Sequence, residues 1–160
     1  MNYISKAEKF DVKSQYDRAD LNFKKAIYYL DMSIDKFPNV ADLYGERGYA
    51  KINVDDYKGV IEDSTKSIEL NPSFDYNFLN RGIAHRHLGN YKQSNCDITK
   101  AIDIDPTYAD NFLERAYTKY KLNNIKGSLK DLSKAIRLDP ENDEAYYFRG
   151  ALRVVDGQYE

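Results

Sequence analysis

Tryptophan is absent from this 160-residue sequence, cysteine occurs once, histidine twice and proline four times. Each scarcity excludes something. The single Cys96 cannot close an intramolecular disulfide, so no disulfide framework holds the fold, and a reducing compartment is the simpler setting. Two histidines and one cysteine cannot be assembled into a zinc site of ordinary ligand spacing. No stretch approaches the ~18 apolar residues of a membrane span. The opening Met1-Asn2-Tyr3-Ile4-Ser5-Lys6 lacks the apolar segment of a secretory signal. The expectation is a cytoplasmic chain without a membrane partner. A formal net charge of −2 leaves no surplus of Lys and Arg for phosphate, which argues against nucleic acid. What the chain does have, 42% hydrophobic and 31% charged residues, suffices for one ordinary domain with a core, spanning residues 1–160. Tyrosine is plentiful, with 15 copies beside 7 Phe.

The few prolines are evenly placed. Pro38, Pro72, Pro106 and Pro140 stand 34 residues apart, and a fixed period of that length is the mark of a repeat architecture. Other files share the register: Arg47, Arg81, Arg115 and Arg149, each followed by Gly or Ala; Asp63, Asp97 and Asp131; Ile34, Ile68, Ile102 and Ile136. The repeats run 7–40, 41–74, 75–108 and 109–142, with a partial fifth over 143–160. Within each, apolar residues recur at helical spacing in two blocks, as in Phe112, Ala116 and then Leu129, Leu132, Ala135, Ile136, so two helices per repeat are predicted. Asp55-Asp56, Gly89-Asn90, Asn123-Asn124 and Asp156-Gly157 mark the turns between them. The small residue after each Arg marks a close helix crossing. Arg and Asp recur together except in the first repeat, where Lys13 and Tyr29 replace both, which favours an ion pair inside one repeat.

A 34-residue helix–turn–helix closed by proline resembles the tetratricopeptide repeat family. Setting the family's proline on these prolines puts its aromatic fourth position on Phe10, Tyr44, Phe78, Phe112 and Tyr146, and its small eighth position on Ser14, Gly48, Gly82, Ala116 and Gly150. The resemblance covers residues 7–160 and departs at two places, where the family's leucine is Arg and its eleventh-position tyrosine is Asp17, Lys51, His85, Lys119 or Arg153. It implies an all-α fold, a right-handed superhelical solenoid of antiparallel helix pairs, whose first helices line a concave groove.

Chemistry is sparse. His85 and His87 lie two apart on one helix and share no face. Asp55, Asp56, Asp103 and Asp105 fit local turn bonding better than a cation site. No phosphate-binding Gly-x-x-x-x-Gly-Lys occurs. No catalytic residue, metal or cofactor is expected, and the chain reads as a non-enzyme. Carrying the family's groove positions onto this sequence gives Glu46, Tyr49, Tyr76, Leu79, Asn80, Ile83, Leu113, Glu114, Tyr117, Tyr120 and Tyr147. The family's carboxylate-gripping Lys and Asn pattern has no counterpart here. The expected partner is a protein or peptide segment with apolar anchors and neutral or basic character. The expected role is therefore an interaction scaffold or adaptor; the alternative is the regulatory or targeting arm of a larger enzyme continuing beyond Glu160. The last helix has no partner helix of its own, which leaves open self-association through it.

Overall fold

A computed structural model describes the backbone of residues 4–155 and 157, and the side chains of residues 20–155 and 157. Among these residues there are helices and turns but no strand: α1 (Ile4–Lys36), α2 (Ala41–Ile52), α3 (Tyr57–Leu70), α4 (Asp75–His87), α5 (Tyr91–Ile104), α6 (Ala109–Lys121), α7 (Ile125–Leu138) and α8 (Asp143–Val155). Helices α2/α3, α4/α5 and α6/α7 form antiparallel pairs, and each second helix also packs on the first helix of the next pair. The first helices α2, α4 and α6 touch one another along one side of the stack. None of the described helices is long and apolar enough to cross a membrane.

The turn inside each pair rests on one backbone conformation. Asp55, Gly89 and Asn123 have φ of 58°, 79° and 60°, and Gly157 has 70°. These four residues are 34 apart, and Gly, Asn and Asp are the types that enter the left-handed region at least cost. Two of the helices that follow are then capped by a side chain, α3 by Asp56 accepting from the Gly59 N–H at 3.1 Å and α7 by Asn124 accepting from the Gly127 N–H at 2.9 Å.

The first repeat departs from the expected pair. Residues 7–40 do not fold as two helices; Ile4–Lys36 is one helix of 33 residues. The register explains it, because the position of Asp55, Gly89 and Asn123 falls on Leu21. A branched side chain with no local hydrogen bond to offer disfavours the left-handed turn, and the helix runs through.

The core is weighted toward the C-terminal half. Ile98, Ala101, Ala116, Leu132 and Ala135 are completely buried in one cluster that extends from α4 to α8. In α3 the places equivalent to Ile98 and Ala101 hold Ser64 and Ser67. The close crossing expected behind each Arg is found at Gly82, where a Cβ would lie 2.5 Å from Ile98 Cγ1 and 3.3 Å from the Ser94 carbonyl oxygen. A Cβ on Gly48 would come no nearer than 3.4 Å to any atom, and one on Gly150 would meet nothing within 4 Å.

The Arg and Asp files meet as the sequence suggests, within one repeat. Arg81 donates from Nε and Nη2 to both oxygens of Asp97 at 2.9 and 2.8 Å, and Arg115 does the same to Asp131 at 2.8 and 2.9 Å. Arg47 makes the same fork to Asp63. Each guanidinium also reaches backward with Nη1, to Asp31, Thr65 and Thr99 at 2.7, 3.1 and 3.3 Å. One Arg thereby ties together the second helices of two successive repeats, a contact the sequence reading did not foresee.

Candidate functional site

The groove is built on α2, α4 and α6, with the start of α8 closing one end. Gly45 makes room for it. A Cβ there would meet Tyr76 Cε2 at 2.7 Å, so the missing side chain lets the Tyr76 ring lie against α2. Tyr76 donates to Asp42 at 3.3 Å, and Tyr117 donates to Glu144 at 2.8 Å. Both are repeat-to-repeat contacts between first helices.

One cavity of about 710 Å³ opens between these helices. Of the residues expected from the sequence, Glu46, Tyr49, Tyr76, Leu79, Asn80, Ile83, Leu113 and Glu114 all line it. Leu79, Asn80 and Leu113 form its buried floor, and Tyr49 stands more than half exposed at its rim. Three expected residues lie elsewhere. Tyr117 stacks on Phe148 with ring centroids 4.2 Å apart, and Tyr120 meets the same ring edge-on at 5.7 Å. Tyr147 is 80% exposed on α8, apart from the cavity. Tyr146, at the family's aromatic position, is also exposed, whereas Tyr44 in the same register is buried.

Asp75, Asp105, Tyr108 and Asn142 line the cavity too, and sequence reasoning missed them. They sit at repeat boundaries, not at the interior first-helix positions carried over from the family. A signal existed in the file Val40, Phe74, Tyr108 and Asn142, which keeps the 34-residue spacing directly before each first helix.

The electrostatics are one-sided. Glu46, Asp75, Asp105, Asp110, Glu114 and Glu144 line the cavity, and no Lys, Arg or His does. Arg86 answers one of them, donating to Glu114 at 2.7 Å while its guanidinium lies 5.5 Å from the centre of the Tyr117 ring. Burial pushes the Glu114 carboxyl above the usual range, against the pull of Arg86, with Glu144 and Asp110 adding to the rise. Burial likewise raises Tyr76 to about 12, helped by Asp42, and Tyr108 to about 12, helped by Asp110. These tyrosines stay neutral donors at any physiological pH. The arrangement suits a cation, together with apolar area over Leu79, Ile83 and Leu113. It offers no nucleophile beside a base, and among the described residues no His, Cys, Asp and Glu cluster that could hold a metal ion.

Helix pairs stacked with first helices on one face, and a groove along that face, define an α-solenoid. The family model for the TPR repeat matches residues 116–154. The chain is similar to the Arabidopsis OM64 TPR domain, with 26% identity, a TM-score of 0.69, and coverage of 71% of this chain and 94% of that one. It shares the fold of MamA from Desulfovibrio magneticus RS-1, with 17% identity, a TM-score of 0.78, and coverage of 91% and 85%. It also shares the fold of the second TPR domain of human RPAP3 in complex with the HSP70 peptide SGPTIEEVD, with 23% identity, a TM-score of 0.65, and coverage of 69% and 92%. No curated protein matches the sequence. Residues 116–154 thus match the TPR repeat, and the rest of the chain has the fold of TPR domains.

Proposed function

We propose that the chain is a non-enzymatic interaction scaffold that receives a protein or peptide segment in the groove of α2, α4 and α6. The observation that carries this reading is the cavity itself: an apolar floor ringed by carboxylates without a lining cation. The segment it fits is apolar with basic or neutral side chains. An acidic tail such as SGPTIEEVD, held by the second RPAP3 domain, would face like charge here, which costs binding instead of adding to it. Tyr49 and Tyr76 supply rigid area and hydroxyls, and Leu79, Ile83 and Leu113 receive apolar anchors. The same groove serves whether the repeats act alone or as the targeting arm of a larger enzyme.

Fluorescence anisotropy tests the reading with two labelled probes, a peptide alternating Lys with Leu and Phe, and its twin with Glu in place of Lys. The basic probe is expected to bind and to weaken as salt is added. Replacing Glu46 and Asp110 together with Ala should cut its affinity about tenfold, or about 1.4 kcal/mol. Equal binding of the acidic twin, or an unchanged affinity in the double variant, overturns the proposal.

A further inference from the structure

Helix α1 carries an uncovered strip that its counterparts bury. In α3 the side chains of Val60, Asp63, Ser64 and Ser67 are buried under α2. The same register in α5 and α7 is buried under α4 and α6. Moved back 34 residues, that strip is Ala26, Tyr29, Leu30 and Ser33. There Tyr29 is 65% exposed and the other three only half-buried. Leu21, Tyr28 and Met32 beside it are more than half exposed. The strip is built as the second helix of a repeat and lacks its first helix.

The sequence of that first helix is present in the chain. Residues 7–19 place Phe10 in the register of Tyr44, Phe78 and Phe112, and Ser14 in that of Gly48, Gly82 and Ala116. They cannot cover their own strip, because α1 runs straight through Leu21. Ser14 and Tyr29 lie on one unbroken helix, about 22 Å apart along its axis at 1.5 Å per residue.

We infer that two copies of this chain exchange residues 7–19, each segment lying antiparallel on the Ala26–Ser33 strip of the other copy's α1. A hinge that opens into straight helix turns an intramolecular antiparallel pair into an intermolecular one with the same contacts. The two-fold axis falls near Leu21, bringing the two exposed Leu21 side chains together. The interface is isologous and closes at two copies. A second copy is favoured over a foreign helix because the strip's complement, aromatic and small residues in register, is written in the same chain.

Disulfide trapping reads the geometry directly. A Cβ on Gly48 lies 3.6 Å from the Asp63 Cβ, within disulfide range, so the equivalent pair is Ser14 and Tyr29. In a Cys96→Ser background, Ser14→Cys with Tyr29→Cys is oxidised and run on a non-reducing gel, while light scattering gives the mass of the unmodified chain. The expected result is a crosslinked dimer from the double variant alone, and a mass twice the 18.6 kDa of one chain. Leu21→Gly, which restores a turn-competent residue, is expected to shift both readings to monomer with an internal crosslink. An internal crosslink without the Leu21 change means that α1 folds back, and overturns the inference. So does a dimer that does not crosslink, as docking through α8 would give, a strict monomer, or equal crosslinking of the single variants.

Discussion

Asp131 is 3% exposed and receives a fork from Arg115 and a further bond from Lys119 at 2.7 Å. Removing the fork leaves a buried carboxylate with one cation, and breaking such a pair from one side costs about 3 kcal/mol. Arg115→Ala is expected to lower the free energy of urea unfolding by that amount. Arg149 has no acid partner among the described residues and only the Tyr146 ring beside it. Arg149→Ala should change stability by less than about 0.5 kcal/mol; similar effects of the two substitutions would show that the fork adds nothing. His85 presents a softer version of the same contact. It occupies the register of Lys51 and Lys119, which sit 2.8 and 2.7 Å from their Asp partners, but its Nε2 stays 3.9 Å from Asp97. Burial holds its pKa below the ordinary 6.5 against the pull of Asp97, with Arg81 adding to the depression. The unfolded chain therefore takes up a proton near pH 6.5 that the folded chain refuses. Stability from this residue is present above that pH and declines as pH falls from it toward the lower folded pKa. The stability difference between His85→Lys and the natural chain should grow on acidification through this window, as read by denaturation midpoints. A constant difference would contradict the assignment.

Between helices, what decides is how closely two backbones approach. Gly82 and Gly150 share one register position, yet a Cβ on Gly82 meets Ile98 at 2.5 Å and one on Gly150 meets nothing within 4 Å. Gly82→Ala is expected to cost about 1–3 kcal/mol through overpacking. Gly150→Ala should gain about 0.5–1 kcal/mol, because only the entropy of glycine in a helix is removed. Paired thermal melts would check the contrast, and equal shifts would refute it. The same two residues mark what the sequence could reveal. The 34-residue ruler shows that a small residue belongs at this position, and it locates helices α2 to α8. It cannot show that, among the described residues, nothing packs against Gly150, since that depends on the neighbouring element and not on the register. Position 21 is the sharper case. A period carries the expectation of a turn through every repeat, while the turn itself depends on whether the residue there tolerates a positive φ, as Asp55, Gly89 and Asn123 do and Leu21 does not. Of the residues expected on first helices, Glu46, Leu79 and Leu113 line the cavity, while Tyr117, Tyr120 and Tyr147 do not. Asp105 and Asn142 were not legible, because they enter the cavity from the connections between repeats.

At the scale of the whole molecule, a stack whose units touch only their neighbours has a stability that varies along its length. The continuous apolar cluster runs from Leu79 to Leu152, while α3 buries Ser64 and Ser67 where α5 and α7 bury Ile98, Ala101, Leu132 and Ala135. Amide exchange is expected to be slowest in α5 to α7 and faster toward α2 and α3, with opening free energies falling along that direction. Uniform protection would mean that the array unfolds as one unit. The arginine file adds a constraint of another kind. Arg47, Arg81 and Arg115 each contact one residue 16 places behind and another 16 places ahead. The spacing of the repeats is thus measured from both sides by a single side chain. Lengthening either turn by one residue moves one of the two contacts out of phase while leaving the other in place. A chain held this way can drift in composition far more freely than in length, since a changed residue loses one contact and a changed length loses the alignment of all that follow.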